Sequence, residues 1–209
     1  MKNKIIIGLG YKKCSGKDTC ANFIKEYIEN NTSYKVKKYS FADILKYSVA
    51  IKFALPEIAL LNDQDFKIKQ CLNFCKIGNN IYSKCPENVS EELVEPITWR
   101  NILQLEGEYT RNLYGEDFWI NRLQDAINNS DADIIIIPDV RYKNEAEWVK
   151  NNKGFLLKVH RDIIDNDNHV SETELDNYND WDYIIMNTSD LEHLKVITNC
   201  LSAKILKNL

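Results

Sequence analysis

The chain has 209 residues, of which 44% are hydrophobic and 28% are charged, the proportions of a water-soluble globular protein. Its longest apolar runs, such as Ile134–Pro138, are far too short to cross a bilayer, so we expect no membrane partner. The formal net charge of −4 argues against binding to duplex nucleic acid, which normally requires a basic excess.

A phosphate-binding motif begins the chain. An apolar strand over Lys4–Gly10 leads into a loop that ends in Gly16 and Lys17 at the start of a helix, the context of a P-loop. Backbone N–H groups and the helix amino terminus form an anion site there, to which Lys17 adds a point charge. The match is imperfect, because Tyr11 stands at the first glycine of G-x-x-x-x-G-K-[ST] and Asp18 at the hydroxyl position. The motif predicts nucleotide binding, with an ordinary strand–turn–helix as the alternative.

Alternating strands and helices are predicted after this loop. Apolar residues at helical spacing, Cys20–Ile28, indicate the first helix, and Tyr34–Ser40 reads as the second strand. A further helix runs from Phe41 to about Ala54. Between Pro56 and Pro96 the pattern weakens: Gln64–Cys75 is predicted to be helical and Lys76–Glu95 to be a loop. An insert of this length is usually functional or mobile; covering a substrate is one option, and the sequence assigns no roles within it.

Thr98–Leu113 is predicted to be a helix with Thr98 as its N-cap. Ile102, Leu105 and Tyr109 lie along one side of this helix. A second side carries a polar stripe made of Arg100, Gln104, Gly107 and Arg111. The stripe is either a solvated face or the wall of an anion-binding cleft. The chain has only five arginines, and a guanidinium binds phosphate in a bidentate way that lysine cannot copy.

Asp133–Asp139 contains four consecutive isoleucines and predicts a central parallel strand that Pro138 ends. Asp139 and Arg141 follow at its carboxyl end, where open α/β sheets bind ligands. Two more helices, Gly115–Asn128 and Asn144–Lys150, and two more strands, Phe155–Val159 and Trp181–Met186, are predicted. The last helix begins at a capping box over Ser189–Glu192. Its predicted buried residues are Leu191, Leu194, Ile197 and Leu201. The order of these elements predicts a five-stranded parallel sheet flanked by helices.

A P-loop combined with an arginine-bearing cleft is typical of a small-molecule kinase. The chain lacks the guanine-reading Asn-Lys-x-Asp of GTPases. In a kinase, Lys17 and at least one arginine would act on the transferring group. Asp139 would hold Mg²⁺ through water or accept the proton of the acceptor. The candidate arginines are Arg100, Arg111, Arg141 and Arg161.

The loop Tyr11–Thr19 resembles the K-x-S-G-K-D-T loop of phage-type deoxynucleoside monophosphate kinases, in which the aspartate at position 18 is normal. The resemblance extends over nearly the whole chain, through Ser40–Asp43 with Leu45 and Lys46, Arg100 with Leu103, Gln104 and Gly107, Arg111, Gly115–Trp119, Asp139–Arg141 with Asn144 and Glu145, His169–Glu172, and Asp182–Ile184. Animal-type phosphomevalonate kinases share the Gly-Lys-Asp loop and are the alternative among enzymes. The alternative that is not an enzyme is a P-loop protein that binds nucleotide without transferring phosphate.

The resemblance implies ATP- and Mg²⁺-dependent phosphorylation of a deoxynucleoside monophosphate to the diphosphate. It implies a P-loop kinase-type three-layer α/β/α fold in one domain, with a core at about 1–55 and 130–209. The implied domain also contains a helical monophosphate-binding insert at about 56–129 and a short lid at about 161–176. The amino terminus lacks a signal-peptide pattern, so we expect the protein to be located in the cytoplasm, or in the host cytoplasm if it is viral. In that compartment we expect its six cysteines to be reduced. A homodimer is compatible with the sequence.

The resemblance also assigns site residues. The catalytic set is Lys17, Arg111, Arg141 and Asp139. The ATP-binding set is Lys12, Lys13, Ser15, Gly16, Lys17, Asp18, Thr19 and Arg161, and the metal ligands are Asp18, Thr19 and Asp139. The monophosphate-binding set is Phe41, Asp43, Lys46, Arg100, Gln104, Arg111, Trp119, Arg141, Asn144, Glu145, Ser171 and Glu172.

Overall fold

The computed structural model describes residues 4–55, 63–69, 75–77, 80–82, 97–162 and 169–209. The chain divides into two compact units, the first made of Met1–Ala42 and Trp119–Leu209 and the second of Asp43–Phe118. The insert predicted at 56–129 shares residues 56–118 with the second unit.

Strands and helices alternate along the described residues. The strands are β1 (Ile5–Gly10), β2 (Val36–Lys38), β3 (Cys75–Ile77), β4 (Asn80–Tyr82), β5 (Ile134–Val140), β6 (Phe155–His160) and β7 (Tyr183–Met186). The helices are α1 (Lys17–Asn31), α2 (Phe41–Lys52), α3 (Gln64–Ile68), α4 (Trp99–Tyr114), α5 (Phe118–Asn128), α6 (Lys143–Asn151), α7 (Val170–Thr173) and α8 (Leu191–Lys207). None of these described helices is long and apolar enough to cross a membrane.

A five-stranded sheet with the order β2-β5-β1-β6-β7 forms the centre of the first unit, and all its neighbouring strands are parallel. Successive residues of a strand point to opposite faces, so the isoleucines of β5 supply two cores. Ile134 and Ile136 pack with residues of α1 and α8, whereas Ile135 and Ile137 pack with residues of α5 and α6. The predicted three-layer α/β/α fold is confirmed.

The prediction that Pro138 ends the central strand is wrong, because β5 continues to Val140. Its pairing with β1 becomes irregular between Gly8 and Gly10, opposite this proline. Proline has no amide hydrogen to donate to a neighbouring strand, which accounts for a local break in the ladder without an end to the strand. The strand therefore extends through Asp139 to the edge at which the β1 loop begins.

The helix predicted over Gln64–Cys75 is shorter in the structure. It ends at Ile68, and Cys75, predicted as its last residue, begins β3 instead. β3 pairs antiparallel with β4 within the segment predicted to be a loop, whose other residues lie outside the described ones. Cys75 is disulfide-bonded, so the expectation of reduced cysteines is wrong for this residue, although Cys14, Cys20 and Cys200 are free thiols.

The predicted details of α8 are also corrected. Its N-cap is Asp190 rather than Ser189, because the Asp190 carboxylate accepts a hydrogen bond from the backbone N–H of His193. Leu191 is therefore the first helical residue, and it is exposed. The buried stripe of α8 is Leu194, Thr198, Ser202 and Ile205, with Ile197 and Leu201 partly buried beside it.

The second unit has its own small core of Val49, Ala50, Ile97, Trp99 and Ile102. Thr98 caps α4 through a capping box with Asn101, as the sequence predicts. A Cβ atom on Gly107 would lie 3.2 Å from Leu45 Cδ2, so glycine permits the close approach of α2 and α4. Tyr109, predicted on the apolar side of α4, is exposed instead.

Candidate active site

The loop between β1 and α1 is turned by residues with positive φ angles. These are Tyr11 at 100°, Cys14 at 56° and Gly16 at 102°. A left-handed conformation at a residue other than glycine costs about 1–3 kcal/mol. Tyr11 therefore adopts the backbone conformation that would favour glycine, which is the residue usual at this place in the motif.

Side-chain contacts hold Tyr11 in this conformation. The Lys158 ammonium lies 4.0 Å from the centre of the tyrosine ring, and the His160 ring centre lies 5.8 Å away. The Tyr11 hydroxyl is hydrogen-bonded to Asp176, and burial together with this carboxylate raises the pKa of Tyr11. Asp176 also forms an ion pair with the Lys12 ammonium at 3.2 Å. These contacts offset the backbone strain at Tyr11 and stabilise the conformation of the loop where it leaves β1.

Asn187 holds the other end of the loop. It directly follows β7, and its side-chain amide donates a hydrogen bond of 2.9 Å to the carbonyl oxygen of Ser15. A Cβ atom on Gly16 would lie 2.7 Å from the same amide nitrogen, so a larger residue here would displace the Asn187 side chain and would also strain the backbone at a φ of 102°. Asn187 is not among the site residues predicted from the sequence, although a polar residue directly after a parallel strand is a signal that could have identified it.

Lys17 is the first residue of α1, and its side chain is almost completely buried, with 5% exposed. The ammonium group donates a hydrogen bond to the carbonyl oxygen of Lys12 and lies 3.5 Å from Ser15 Oγ. Burial, with a smaller contribution from the Arg141 guanidinium, lowers the pKa of Lys17 to about 7. An anion bound beside this lysine would favour its charged form.

Arg141 is held at both its backbone and its side chain. The Glu145 carboxylate accepts hydrogen bonds from the backbone N–H groups of Arg141 at 2.8 Å and Tyr142 at 3.2 Å. The guanidinium forms an ion pair with Glu172. The second oxygen of Glu172 accepts a 2.8 Å hydrogen bond from the backbone N–H of Lys13. The loop between β1 and α1 (residues 11–16), which we name the phosphate loop for its predicted role, is thus in direct contact with Glu172, and Glu172 with Arg141.

The carboxylate of Asp139 lies at the amino end of α2. It accepts hydrogen bonds from the backbone N–H groups of Phe41 at 3.1 Å and Ala42 at 3.0 Å, and from the Ser40 hydroxyl. A carboxylate in this position stabilises a helix amino terminus. These three bonds hold the carboxylate at the start of α2. A carboxylate offers about four lone-pair positions, so the roles predicted for Asp139, holding Mg²⁺ through water or accepting a proton, stay predictions.

Five predicted site residues lie in the second unit: Asp43, Lys46, Arg100, Gln104 and Arg111. Asp43 and Lys46 form an ion pair of 3.2 Å. Arg100 and Gln104 are half-buried and one helical turn apart on α4. The Arg111 guanidinium donates a 2.9 Å hydrogen bond to the carbonyl oxygen of Glu116. The structure thus groups these residues on one compact unit and the phosphate loop on the other.

The other predicted residues belong to the first unit. Phe41 and Trp119 are buried, and the Asn144 side chain accepts a hydrogen bond from the backbone N–H of Glu145. Ser171 contacts His169, which caps the short helix α7. Arg161 is exposed after β6. The central residues of the predicted lid, 163–168, lie outside the described residues.

The strand order and the lysine-bearing loop after β1 define a P-loop kinase-type protein. The family model for deoxynucleotide monophosphate kinase matches residues 57–197, more than half of the chain. The chain therefore belongs to the deoxynucleotide monophosphate kinase family and is a phosphotransferase.

A relative from Acanthamoeba polyphaga mimivirus supports this membership. It carries the provisional name deoxynucleotide monophosphate kinase and is 28% identical over 196 residues, which span 90% of this chain and 91% of the relative. A crystal structure of APE1195 aligns over 98% of both chains with a TM-score of 0.44 and 12% sequence identity, too weak a likeness to add to the argument.

Proposed function

We propose that this kinase transfers the γ-phosphoryl group of ATP, with Mg²⁺, to a deoxynucleoside monophosphate and releases the deoxynucleoside diphosphate. The observation that carries the proposal is the buried ammonium of Lys17 in the loop after β1, with the Arg141 guanidinium close enough to lower its pKa. Phosphoryl transfer is catalysed mainly by positioning and by stabilisation of negative charge. Two adjacent cations at a loop of this type suit that task.

The donor site is the loop and the start of α1. Lys17 would neutralise charge on the phosphates of ATP, and the N–H groups of the loop would hold them. The contacts of Tyr11 and Asn187 support this role, because a loop held at both ends loses little conformational freedom when a nucleotide binds. The remaining donor-site residues in the proposal are Lys12, Lys13, Ser15, Gly16, Asp18, Thr19 and Arg161.

Magnesium would be shared between the protein and the donor phosphates. The described residues contain no cluster of three or more histidine, cysteine, aspartate or glutamate side chains, whereas Mg²⁺ at phosphates needs only one or two protein oxygens. Asp18 and Thr19, in the first turn of α1, supply a carboxylate and a hydroxyl of the right chemistry. When bound, the ion would neutralise charge on the phosphates. We assign Asp139 to the support of α2 because its carboxylate already accepts three hydrogen bonds.

The acceptor would be recognised by Arg100, Gln104 and Arg111 on α4 and by Asp43 and Lys46 on α2. Arg141 would act on the transferring group. The resemblance adds Phe41, Trp119, Asn144 and Ser171 to this set. Glu145 is only 1% exposed and binds the backbone beside Arg141, so we propose that it positions this arginine rather than contacting substrate.

A coupled assay of ADP release tests the proposal. The purified chain is supplied with ATP, Mg²⁺ and, separately, each deoxynucleoside monophosphate, each ribonucleoside monophosphate and phosphomevalonate. We expect turnover with at least one deoxynucleoside monophosphate and none with phosphomevalonate. Turnover of phosphomevalonate alone would support the alternative kinase, and nucleotide binding with no turnover of any acceptor would support a non-catalytic protein. Light scattering on the same preparation determines whether the chain forms a homodimer.

Replacing Asn187 by alanine should raise the KM for ATP by about fivefold, because a hydrogen bond worth about 1 kcal/mol to the Ser15 carbonyl is lost. The KM for the monophosphate should change less than about twofold. Asn152→Ala is the matched control, since its amide also donates to a backbone carbonyl, that of Trp148, but at the end of α6. Equal KM values for ATP in both variants would contradict a role for Asn187 in loop geometry.

A further inference from the structure

Glu172 joins two parts of the site that lie far apart in the sequence. One carboxylate oxygen accepts a hydrogen bond from the backbone N–H of Lys13, 159 positions away, and the other forms an ion pair with the Arg141 guanidinium. Each oxygen therefore has its own partner. The resemblance assigns Glu172 to substrate binding, but these two contacts already use the carboxylate.

Burial makes both contacts of Glu172 important. Only 7% of the residue is exposed, so an ionised carboxylate here is stable only while it is paired. Removing one partner of such a pair leaves the other charge buried without compensation, which is costly. The orientation of the Arg141 guanidinium is thus linked to a backbone amide in the middle of the phosphate loop.

We propose that Glu172 is a positioning residue that couples Arg141 to the phosphate loop, so that a single carboxylate sets both the guanidinium orientation and the loop shape. The inference rests on the proposed function in one respect, namely that Arg141 acts on the transferring phosphoryl group. Glu172 acts through Arg141 and Lys13 and does not contact substrate. Misorientation of a positioned catalytic group lowers the rate of the chemical step more than it lowers substrate affinity.

The environment of Lys17 agrees with this coupling. Arg141 lowers the pKa of Lys17, whereas the Glu172 carboxylate raises it. Glu172 therefore offsets the repulsion between two cations that the proposed mechanism places at the same phosphate groups. Without this carboxylate, the guanidinium and the ammonium would repel each other in the absence of nucleotide.

A double-mutant cycle tests the coupling. Glu172→Gln keeps an oxygen that can accept from Lys13 but removes the ion pair, so we expect kcat to fall about tenfold and the KM for ATP to change less than twofold. In an Arg141→Gln background, the same substitution should change kcat less than twofold. Glu174→Gln is the matched control, because this neighbouring carboxylate accepts from the Lys143 amide and contacts neither Lys13 nor Arg141. Equal effects of Glu172→Gln in the two backgrounds, or an unchanged kcat, would overturn the coupling.

A second measurement does not depend on activity. In protein labelled with ¹⁵N-lysine and ¹⁵N-arginine, the Lys13 amide and the Arg141 side-chain signal are identified by their loss in Lys13→Arg and Arg141→Lys. Glu172→Ala should shift both signals and speed the exchange of the Lys13 amide, whereas Glu174→Gln should shift neither. If either signal stays in place, the coupling is refuted. If both signals shift in an enzyme without kinase activity, the proposed function fails while the contact made by Glu172 stands.

Discussion

Lys17→Ala should reduce kcat with ATP and the preferred deoxynucleoside monophosphate by roughly 10³-fold, because it removes the buried ammonium that the proposed mechanism places at the transferring group. The fold should survive. Moving an ammonium from water into a buried site costs free energy, so the loss of this charge does not weaken the core. Steady-state kinetics and thermal unfolding measure the two effects, and we expect the Tm to change by less than about 5 °C.

Lys25→Ala provides the control for Lys17→Ala. Lys25 lies on the same helix and forms only a surface ion pair of 3.7 Å with Glu29, an interaction worth little. Its replacement should leave kcat within about twofold of the unsubstituted enzyme. ATP-dependent kinase activity retained by Lys17→Ala would refute the assignment of the P-loop.

Lys17 also predicts a pH signature of nucleotide binding. Its pKa of about 7 means that most Lys17 side chains are neutral at pH 8 before ATP binds. Bound phosphate raises this pKa, so binding at pH 8 should take up most of one proton, and the uptake should fall as the pH is lowered below 7. Titration calorimetry in buffers of different ionisation enthalpy measures the uptake. Lys17→Arg, whose charge is permanent, should lack it, and equal uptake in both proteins would exclude Lys17 as its source.

The features predicted well from sequence are those with a local physical cause. Four consecutive isoleucines require burial on both faces, and β5 is indeed the strand between β1 and β2. Thr98 precedes an apolar-periodic segment, and it caps α4. An apolar strand followed by the Gly16-Lys17 pair predicts the loop between β1 and α1. Each of these signals lies within a few residues of the element it predicts.

The features that could not be predicted depend on residues brought together by the fold. The sequence of the loop does not indicate that Asn187 holds Ser15 or that Glu172 binds Lys13, because both contacts join opposite ends of the chain. Tyr11 reads as a defect in a glycine-rich motif until its contacts with Lys158 and Asp176 are known. Asp139 lies at the carboxyl end of the central strand, as a ligand-binding residue would, yet its oxygens accept hydrogen bonds from the start of α2.

Arg100→Ala should raise the KM for the deoxynucleoside monophosphate by roughly 10- to 100-fold and leave the KM for ATP within about threefold. A hydrogen bond from a guanidinium to a phosphate contributes about 1.5–3 kcal/mol, and each 1.4 kcal/mol is tenfold in affinity. Arg100→Lys should recover only part of the loss, because an ammonium cannot form the bidentate contact. Initial rates at varied concentrations of each substrate, the other held saturating, separate the two KM values.

The control for Arg100→Ala is Arg122→Ala. Arg122 is the exposed arginine of α5, in the first unit, and we interpret it as an ordinary surface charge. Its replacement should change neither KM, so a general effect of lost positive charge would be seen in both variants. If Arg100→Ala weakened ATP and the monophosphate equally, the polar stripe on α4 would not be the acceptor site. A selective loss of monophosphate affinity would instead assign acceptor recognition to α4 and donor recognition to the loop after β1.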